Sequence, residues 1–175
     1  MNNPAQFPLS ARIFHWGMAA LIFSMLLAGL SMVQTLQAWH APIVAAHKFF
    51  GVLALIAVIA RLANRFRFKS PALPADLPAA QKLAAMVTQA LLYICMFAMP
   101  ISGFLMVSAS GQGINMLGLF TLPPIGEPSL VGYSFFRELH AITAVLLMLL
   151  IVMHVTAAVY HGLIRKDNLL RSMLR

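Results

Sequence analysis

The sequence contains very little charge for its length. Only 9% of its 175 residues are charged, whereas about 25% are charged in typical soluble domains. Hydrophobic residues make up 61% of the chain, which is far too many for a disordered tail. These proportions exclude an ordinary water-soluble domain and indicate that most of the chain lies in a lipid bilayer.

Cysteine and acidic residues are also scarce. Cys95 is the single cysteine, which excludes a disulfide-stabilised secreted domain and an iron–sulfur cluster held by this chain alone. There are 4 acidic residues and 12 Lys or Arg, which gives a formal net charge of +8. In a soluble protein this excess would suggest nucleic-acid binding. Here no water-soluble domain exists to hold such a site, and we expect no nucleic acid.

Four apolar stretches are long enough to cross a membrane, since a spanning helix needs about 20 residues. Polar segments and Pro- or Gly-rich segments separate them, and the longest connection covers residues 108–138. The sequence therefore predicts an all-α membrane protein with a single domain over residues 1–175. Its fold is an antiparallel four-helix transmembrane bundle. The predicted spans are residues 13–33, 43–63, 84–107 and 139–164.

The distribution of Lys and Arg predicts the orientation of the bundle. With four spans, the N-terminus, the second connection and the C-terminal tail lie on one side and hold all these bases except Lys48 and Arg137. Because Lys and Arg concentrate on the cytoplasmic side, we expect a multi-pass protein of the bacterial cytoplasmic (inner) membrane with both termini in the cytoplasm. The bases on that side are Arg12, Arg61, Arg65, Arg67, Lys69, Lys82, Arg165, Lys166, Arg171 and Arg175.

Histidines within the spans are the main candidates for chemistry, because ionisable side chains in a bilayer are costly and usually functional. His15 and His154 lie near the cytoplasmic side, on the first and fourth spans, whereas His47 and His140 lie near the outer side, on the second and fourth. The two histidines of the fourth span are 14 residues apart, a rise of about 21 Å and almost four turns, so they share one stripe of the helix. The sequence predicts two facing pairs, His15 with His154 and His47 with His140.

Each pair provides two imidazoles from separate helices. Zinc prefers four ligands close together, which these pairs do not provide. A haem iron takes one axial imidazole from each side and needs an apolar slot. A small residue follows each histidine after one helical turn, namely Ala19, Gly51, Ala144 or Ala158. We therefore predict two haem groups with the four histidines as iron ligands. A packed, hydrogen-bonded histidine is the alternative at any one position.

Two further histidines lie outside the predicted pairs. His40 lies in a short outer loop and is expected at the surface. His161 follows His154 by seven residues on the same stripe. It is a candidate partner for a haem carboxylate or a quinone, and the alternative is a residue at the membrane interface.

Several short motifs follow one another along nearly the whole chain. They are His15-Trp16, His47 with Gly51, Arg61 before a basic loop, Pro100-Ile101-Ser102-Gly103, Gly118-Leu119-Phe120 with Pro123, His140, His154 and Lys166-Asp167-Asn168-Leu169-Leu170. Each motif is weak alone, but in this order and at these spacings the chain resembles the bacterial cytochrome b561 family of small four-span dihaem proteins.

The resemblance implies two b-type haems on the four paired histidines and electron transfer to ubiquinone. Because a member of the family oxidises superoxide, the resemblance also makes this small anion the candidate donor and superoxide:ubiquinone oxidoreduction the candidate activity. One alternative is a haem-bearing anchor subunit that receives electrons from an iron–sulfur partner protein. Another is a transporter or metal-handling protein without haem.

Lys48 and Arg137 are the only Lys or Arg residues predicted on the outer side, and each lies close to an outer histidine in sequence. One interpretation is that they extend to the membrane surface or pair with haem carboxylates. The other is that their charge attracts the anionic donor, because a local positive field raises the encounter rate.

Overall fold

The structure is a computed structural model that describes residues 6–34, 38–68 and 76–174. Two of the predicted cytoplasmic bases, Lys69 and Arg175, lie outside the described residues. The described chain is mostly helical. Its elements are α1 (Leu9–Gln34), α2 (His40–Arg67), α3 (Ala79–Ala109), β1 (Ile114–Asn115), β2 (Thr121–Leu122), α4 (Leu130–Val159), a π-helical turn (Tyr160–Arg165) and α5 (Leu169–Leu174).

Four of the described helices are long and apolar enough to cross a membrane, which confirms the predicted all-α transmembrane bundle. The first three helices extend beyond their predicted spans at both ends, because helical hydrogen bonding continues into the polar ends, whereas α4 ends at Val159 and a π-helical turn continues to Arg165. The largest difference is at α4, which begins at Leu130 instead of near Leu139. There the Ser129 side chain caps the helix by accepting the Gly132 N–H at 3.1 Å.

The four helices do not pack equally closely. α3 packs along both α2 and α4, and α1 packs along α2, whereas α4 makes few close backbone approaches to α1 or α2. The fully buried core is narrow and includes Val58, Cys95 and Leu147. Many large apolar side chains point outwards, such as Leu149 and Val152 of α4. A helix that is apolar all round is typical of a membrane span.

A small β-hairpin forms within the connection between α3 and α4, where the sequence predicts only a long loop. Its strands pair antiparallel, with Ile114 opposite Leu122. Leu117 and Gly118 make the turn with positive φ angles of 53° and 84°. Ile114 is buried against the end of α3. Two-residue strands are too short for an alternating pattern to reveal them in sequence. We refer to this part of the bundle as the hairpin end.

The two ends of the chain meet at the opposite end of the bundle, which we refer to as the terminal end. Lys166 adopts a left-handed conformation with φ 54° and reverses the chain after the π-helical turn. α5 then docks against α1. The indole Nε1 of Trp16 donates to the Met173 carbonyl at 3.1 Å, and Arg12 donates to the Leu174 carbonyl at 2.9 Å.

Asp167 stabilises the turn that leads into α5. Its carboxylate contacts Nδ1 of His161 at 2.5 Å, and it accepts from Arg165 and from the Leu169 backbone N–H, both at 3.2 Å. Burial raises the pKa of the Asp167 carboxyl, but the hydrogen bonds from His161, Leu169 and Arg165 outweigh burial and hold this pKa below its ordinary value. Arg165 also donates to Asp76 at 2.6 Å.

Replacing Asp167 with Asn should lower the thermal unfolding temperature in detergent at neutral pH. The variant loses charge-assisted hydrogen bonds, which are worth about 1–3 kcal/mol together. Because the folded-state pKa of Asp167 is lowered, its contribution is complete above the unfolded pKa of roughly 4 and is lost as the pH falls through the folded pKa. The difference between wild type and D167N should therefore shrink at low pH.

The matched control is Asp76→Asn, because Asp76 contacts the same Arg165 but its side chain is 74% exposed. Ion pairs at such exposed positions contribute little. Equal unfolding temperatures for D167N and D76N at neutral pH would contradict the role assigned to Asp167.

Candidate functional site

Four histidines meet in two pairs within the bundle. The ring centroids of His15 in α1 and His154 in α4 are 6.1 Å apart, and those of His47 in α2 and His140 in α4 are 6.3 Å apart. We call the first pair the terminal tier and the second pair the hairpin tier, after the end of the bundle where each lies. All four residues are partly buried. The structure thus brings together the residues that helix geometry pairs from the sequence.

A 14-residue spacing on three helices connects the two tiers. Fourteen residues make almost four turns and about 21 Å of rise, so such residues share one stripe at two depths. Each of the three helices thus directs one residue to each tier. The pairs with this spacing are His15 and Gly29 in α1, His47 and Arg61 in α2, and His140 and His154 in α4.

The non-histidine members of these stripes lie next to the histidines of their tier. At the hairpin tier, a Cβ atom on Gly29 would be 3.7 Å from the His47 ring. At the terminal tier, the Arg61 guanidinium nitrogen NH2 is 3.1 Å from Nδ1 of His15. One tier therefore has a glycine where the other has a cation.

The helices that carry each histidine pair are not closely packed against each other. α4 makes few close backbone approaches to α1 or α2, and the paired imidazole rings lie between these helices. α3 instead approaches α4 closely through Gly103. A Cβ atom at this position would lie 3.2 Å from Cε1 and 3.3 Å from Nδ1 of His140, which is tighter than ordinary van der Waals contact. The absence of a side chain at Gly103 therefore allows the His140 ring its position.

Hydrogen bonds orient the His140 ring at the hairpin tier. Its Nδ1 is 3.0 Å from the Met99 carbonyl oxygen and 3.2 Å from the Ser102 hydroxyl, which itself donates to the same carbonyl. A carbonyl only accepts, so Nδ1 carries the proton and Nε2 keeps its lone pair for a metal. Metal-binding histidines commonly donate their other N–H to a carbonyl in this way.

His47, the partner of His140, has an unused polar atom. Its Nδ1 is buried and has no hydrogen-bond partner within the described chain. Buried polar atoms are nearly always paired, so an unpaired one calls for an explanation. A bound group between α2 and α4 would explain it.

The terminal tier differs in charge. Arg61 donates to Nδ1 of His15, and the guanidiniums of Arg61 and Arg65 lie 5.7 Å and 5.6 Å from the centroid of the Tyr93 ring. These distances are typical of cation–π contacts. Together with Phe68, these side chains line a pocket beside His15. The terminal tier thus has positive charge in direct contact with one of its imidazoles.

Both pairs fit one metal atom held between two imidazoles. Imidazole nitrogens bind metals such as zinc at about 2.0–2.1 Å, and two rings on opposite sides of one atom then have centroids roughly 6 Å apart. No group of three or more His, Cys, Asp or Glu side chains that could hold a metal occurs within the described residues, which argues against a four-ligand zinc site. Two imidazoles on separate apolar helices fit a haem, which each pair would hold and which would supply one-electron chemistry.

The remaining candidate residues lie outside the pairs. His40 begins α2 at the hairpin end. His161 forms no third pair at the terminal end and is bound to Asp167. Lys48 is half-buried next to His47 in sequence, and Arg137 is exposed. The structure thus keeps Lys48 and Arg137 at the end of the bundle that holds the hairpin tier.

Sequence reasoning missed Arg61 and Ser102 as site residues. From the sequence, Arg61 is expected only as a cytoplasmic base and as part of a family motif. Its 14-residue distance from His47 is a signal that could have placed it at the terminal tier. Ser102 enters only as part of the Pro100–Gly103 motif. Its contact with His140 depends on how α3 packs against α4, for which the sequence contains no signal.

The sequence is similar to a known protein family and to two of its members. The family described as prokaryotic cytochrome b561 matches residues 6–175. Cytochrome b561 homolog 2 of Escherichia coli (strain K12) is 31% identical over 176 residues, which covers 99% of this chain and 93% of that protein. Cytochrome b561 homolog 1 of the same organism is 30% identical over 128 residues, 73% of this chain and 72% of that protein. Both histidine tiers lie within the range matched by the family.

Replacing Gly103 with Ala should weaken haem retention at the hairpin tier. The added methyl group would lie 3.2 Å from the His140 ring and force the ring or α3 to shift by a few tenths of an ångström. We expect severalfold faster loss of haem from purified protein to an apo-haem acceptor, followed by absorbance. Gly29→Ala is the matched control, because its methyl group would make an ordinary 3.7 Å contact with His47. Equal rates in the two variants would contradict the close-approach role of Gly103.

Proposed function

The chain belongs to the prokaryotic cytochrome b561 family, and from this premise we propose that it is a dihaem cytochrome. Membership of the family implies b-type haem and electron transfer in a bacterial membrane. We propose in addition that electrons cross the inner membrane through two haems. The observation that carries this proposal is the presence of two imidazole pairs, 6.1 Å and 6.3 Å apart, at two depths of one bundle.

The four histidines have separate tasks in this proposal. His15 and His154 would hold one haem b, and His47 and His140 would hold the other. Haem with two imidazole ligands supplies one-electron transfer and leaves no open coordination position for oxygen. Because α4 contributes one histidine to each tier, a single rigid helix sets their separation at about 21 Å along its axis. The surrounding apolar helices exclude water.

The terminal end faces the cytoplasm in the proposed orientation, with both termini on that side. The support comes from the Lys and Arg residues, because all but Lys48 and Arg137 belong to the N-terminus, the second connection or the C-terminal tail. The single transmembrane domain then covers residues 1–175. The hairpin end faces the outer side.

Haem content of histidine variants tests the ligand assignment. Each single change of His15, His47, His140 or His154 to Ala should reduce haem per protein from two to about one, because each change removes one of the two side chains that would hold one haem. His40→Ala is the control and should retain both. Haem per protein is measured from the pyridine adduct spectrum against protein concentration.

Double variants test the pairing itself. His15→Ala with His154→Ala removes both ligands of one tier and should still leave about one haem per protein. His15→Ala with His140→Ala disrupts both tiers and should leave almost none. Equal haem content in these two double variants would contradict the assigned pairs, as would loss of haem from His40→Ala.

The proposed acceptor is ubiquinone, and the proposed donor is superoxide, which would make the protein a superoxide:ubiquinone oxidoreductase. Two superoxide anions each lose one electron and leave as two dioxygen molecules. One ubiquinone takes up the two electrons and two protons and becomes ubiquinol. The family resemblance supports this reaction. Lys48 and Arg137, the only Lys or Arg assigned to the hairpin end, are the candidate side chains that attract the anion.

Charge variants test the attraction. The double variant Lys48→Gln, Arg137→Gln should reduce the rate of haem reduction by superoxide severalfold at low salt and flatten its dependence on ionic strength, because local positive charge speeds the encounter with an anion. Reduction is followed by stopped-flow absorbance. The matched control is Glu127→Gln, Glu138→Gln, which removes the exposed acidic residues of the same end and should raise the rate.

Unchanged rate and salt dependence in the Lys48 and Arg137 double variant would remove these residues from the proposal. A purified wild-type protein that holds both haems but reduces no ubiquinone with superoxide would refute the donor. Such a result would instead favour an anchor subunit that receives electrons from an iron–sulfur partner protein.

A further inference from the structure

The two tiers differ in what contacts the Nδ1 nitrogen of one histidine in each pair. At the hairpin tier, Nδ1 of His140 donates to the Met99 carbonyl at 3.0 Å, a neutral acceptor. At the terminal tier, the Arg61 guanidinium lies 3.1 Å from Nδ1 of His15. A cation therefore lies against one imidazole of the terminal tier, whereas a neutral carbonyl lies against one imidazole of the hairpin tier.

Arg61 is not neutralised by a carboxylate within the described residues. In the described part of the chain, the ion pairs of Arg and His side chains are those of Arg165 and His161 with Asp76 and Asp167. Arg61 is partly buried, and its guanidinium also lies over the Tyr93 ring. Because partly buried charge is poorly screened by solvent, its field acts strongly on neighbouring groups.

The position of this charge does not depend on the hydrogen bond to His15. A neutral imidazole that binds iron through Nε2 carries its proton on Nδ1 and cannot accept from Arg61. The side chain would then give up this hydrogen bond. Its place on the α2 stripe, 14 residues from His47, and the Tyr93 ring would keep the guanidinium at the terminal tier.

The Arg61 cation at the terminal tier and the carbonyl acceptor at the hairpin tier would both make the reduction potential of the terminal-tier haem the higher of the two. A haem gains one electron when it is reduced, so a nearby cation favours the reduced form and raises the reduction potential. Donation of the His140 N–H to a carbonyl makes that imidazole a more basic ligand, which favours the oxidised form at the hairpin tier. Both effects make the terminal tier the better electron acceptor.

We propose that Arg61 raises the reduction potential of the terminal-tier haem above that of the hairpin-tier haem, so that electrons pass downhill from the hairpin end to the terminal end. Arg61 is a tuning residue in this proposal and binds no iron. The proposal rests on the two-haem function above. It assigns a direction of transfer that the family membership does not contain.

The test measures the reduction potential of each haem separately. The variant His47→Ala, His140→Ala retains the terminal-tier haem, and the variant His15→Ala, His154→Ala retains the hairpin-tier haem. Spectroelectrochemical titration should give the higher midpoint for the first variant. Adding Arg61→Gln to it should lower the ratio of reduced to oxidised haem about tenfold at a fixed potential.

Two controls separate charge from structure. Arg61→Lys keeps the charge and should retain most of the wild-type potential. Arg65→Gln removes a cation that lies on the same Tyr93 ring but donates to Gln89 instead of His15, and it should shift the potential less than Arg61→Gln does. Haem per protein is measured for every variant, because it reports on the two-haem function independently of the potential.

The outcomes are distinguishable. Wild-type protein with fewer than two haems would refute the two-haem function. Two haems with the higher midpoint at the hairpin tier would overturn the proposal for Arg61, and this comparison requires no change at Arg61. An unchanged or raised midpoint in Arg61→Gln, or an equal fall in Arg61→Lys, would also overturn it.

Discussion

Polar side chains within a lipid bilayer need hydrogen-bond or binding partners, and the arrangement of the helices depends on this requirement. Four histidines lie within apolar helices, where water cannot satisfy their ring nitrogens. Each ring faces another histidine, at 6.1 Å or 6.3 Å between centroids, and the outward nitrogen of His140 meets a carbonyl. His47 Nδ1 has no partner within the described chain. This arrangement supports the proposal that the histidines surround a bound group, because burying the unpaired nitrogen without one would cost free energy.

The 14-residue spacing explains how three helices serve two tiers. A straight helix returns to nearly the same face after 14 residues, so one stripe of α4 supplies His140 and His154. α1 and α2 each have only one histidine on this stripe. Fourteen residues from that histidine, α1 has Gly29 at the hairpin tier and α2 has Arg61 at the terminal tier. The two tiers thus share one plan but differ in the charge beside one histidine, and the proposed direction of electron transfer rests on this difference.

Different elements pack against the two ends of the bundle. At the hairpin end, a short β-hairpin packs against α3, whereas at the terminal end α5 folds back onto α1 through Trp16 and Arg12. Two of the four acidic residues, Asp76 and Asp167, contact Arg165. The ion pairs of the described chain therefore stabilise the terminal end and leave Arg61 charged beside His15.

The spans and the two histidine pairs could be predicted from the sequence, because hydropathy and the helical repeat depend only on local spacing. The class of cofactor followed from the pairs, and the family resemblance added its expected acceptor. The hairpin, the π-helical turn and the contacts of Ser102 and Gly103 with His140 could not be predicted. These features depend on how close α3 comes to α4 and how far α4 stands from α1 and α2. Such distances arise from the packing of whole helices, and they alone decided that one tier has a cation and the other a carbonyl.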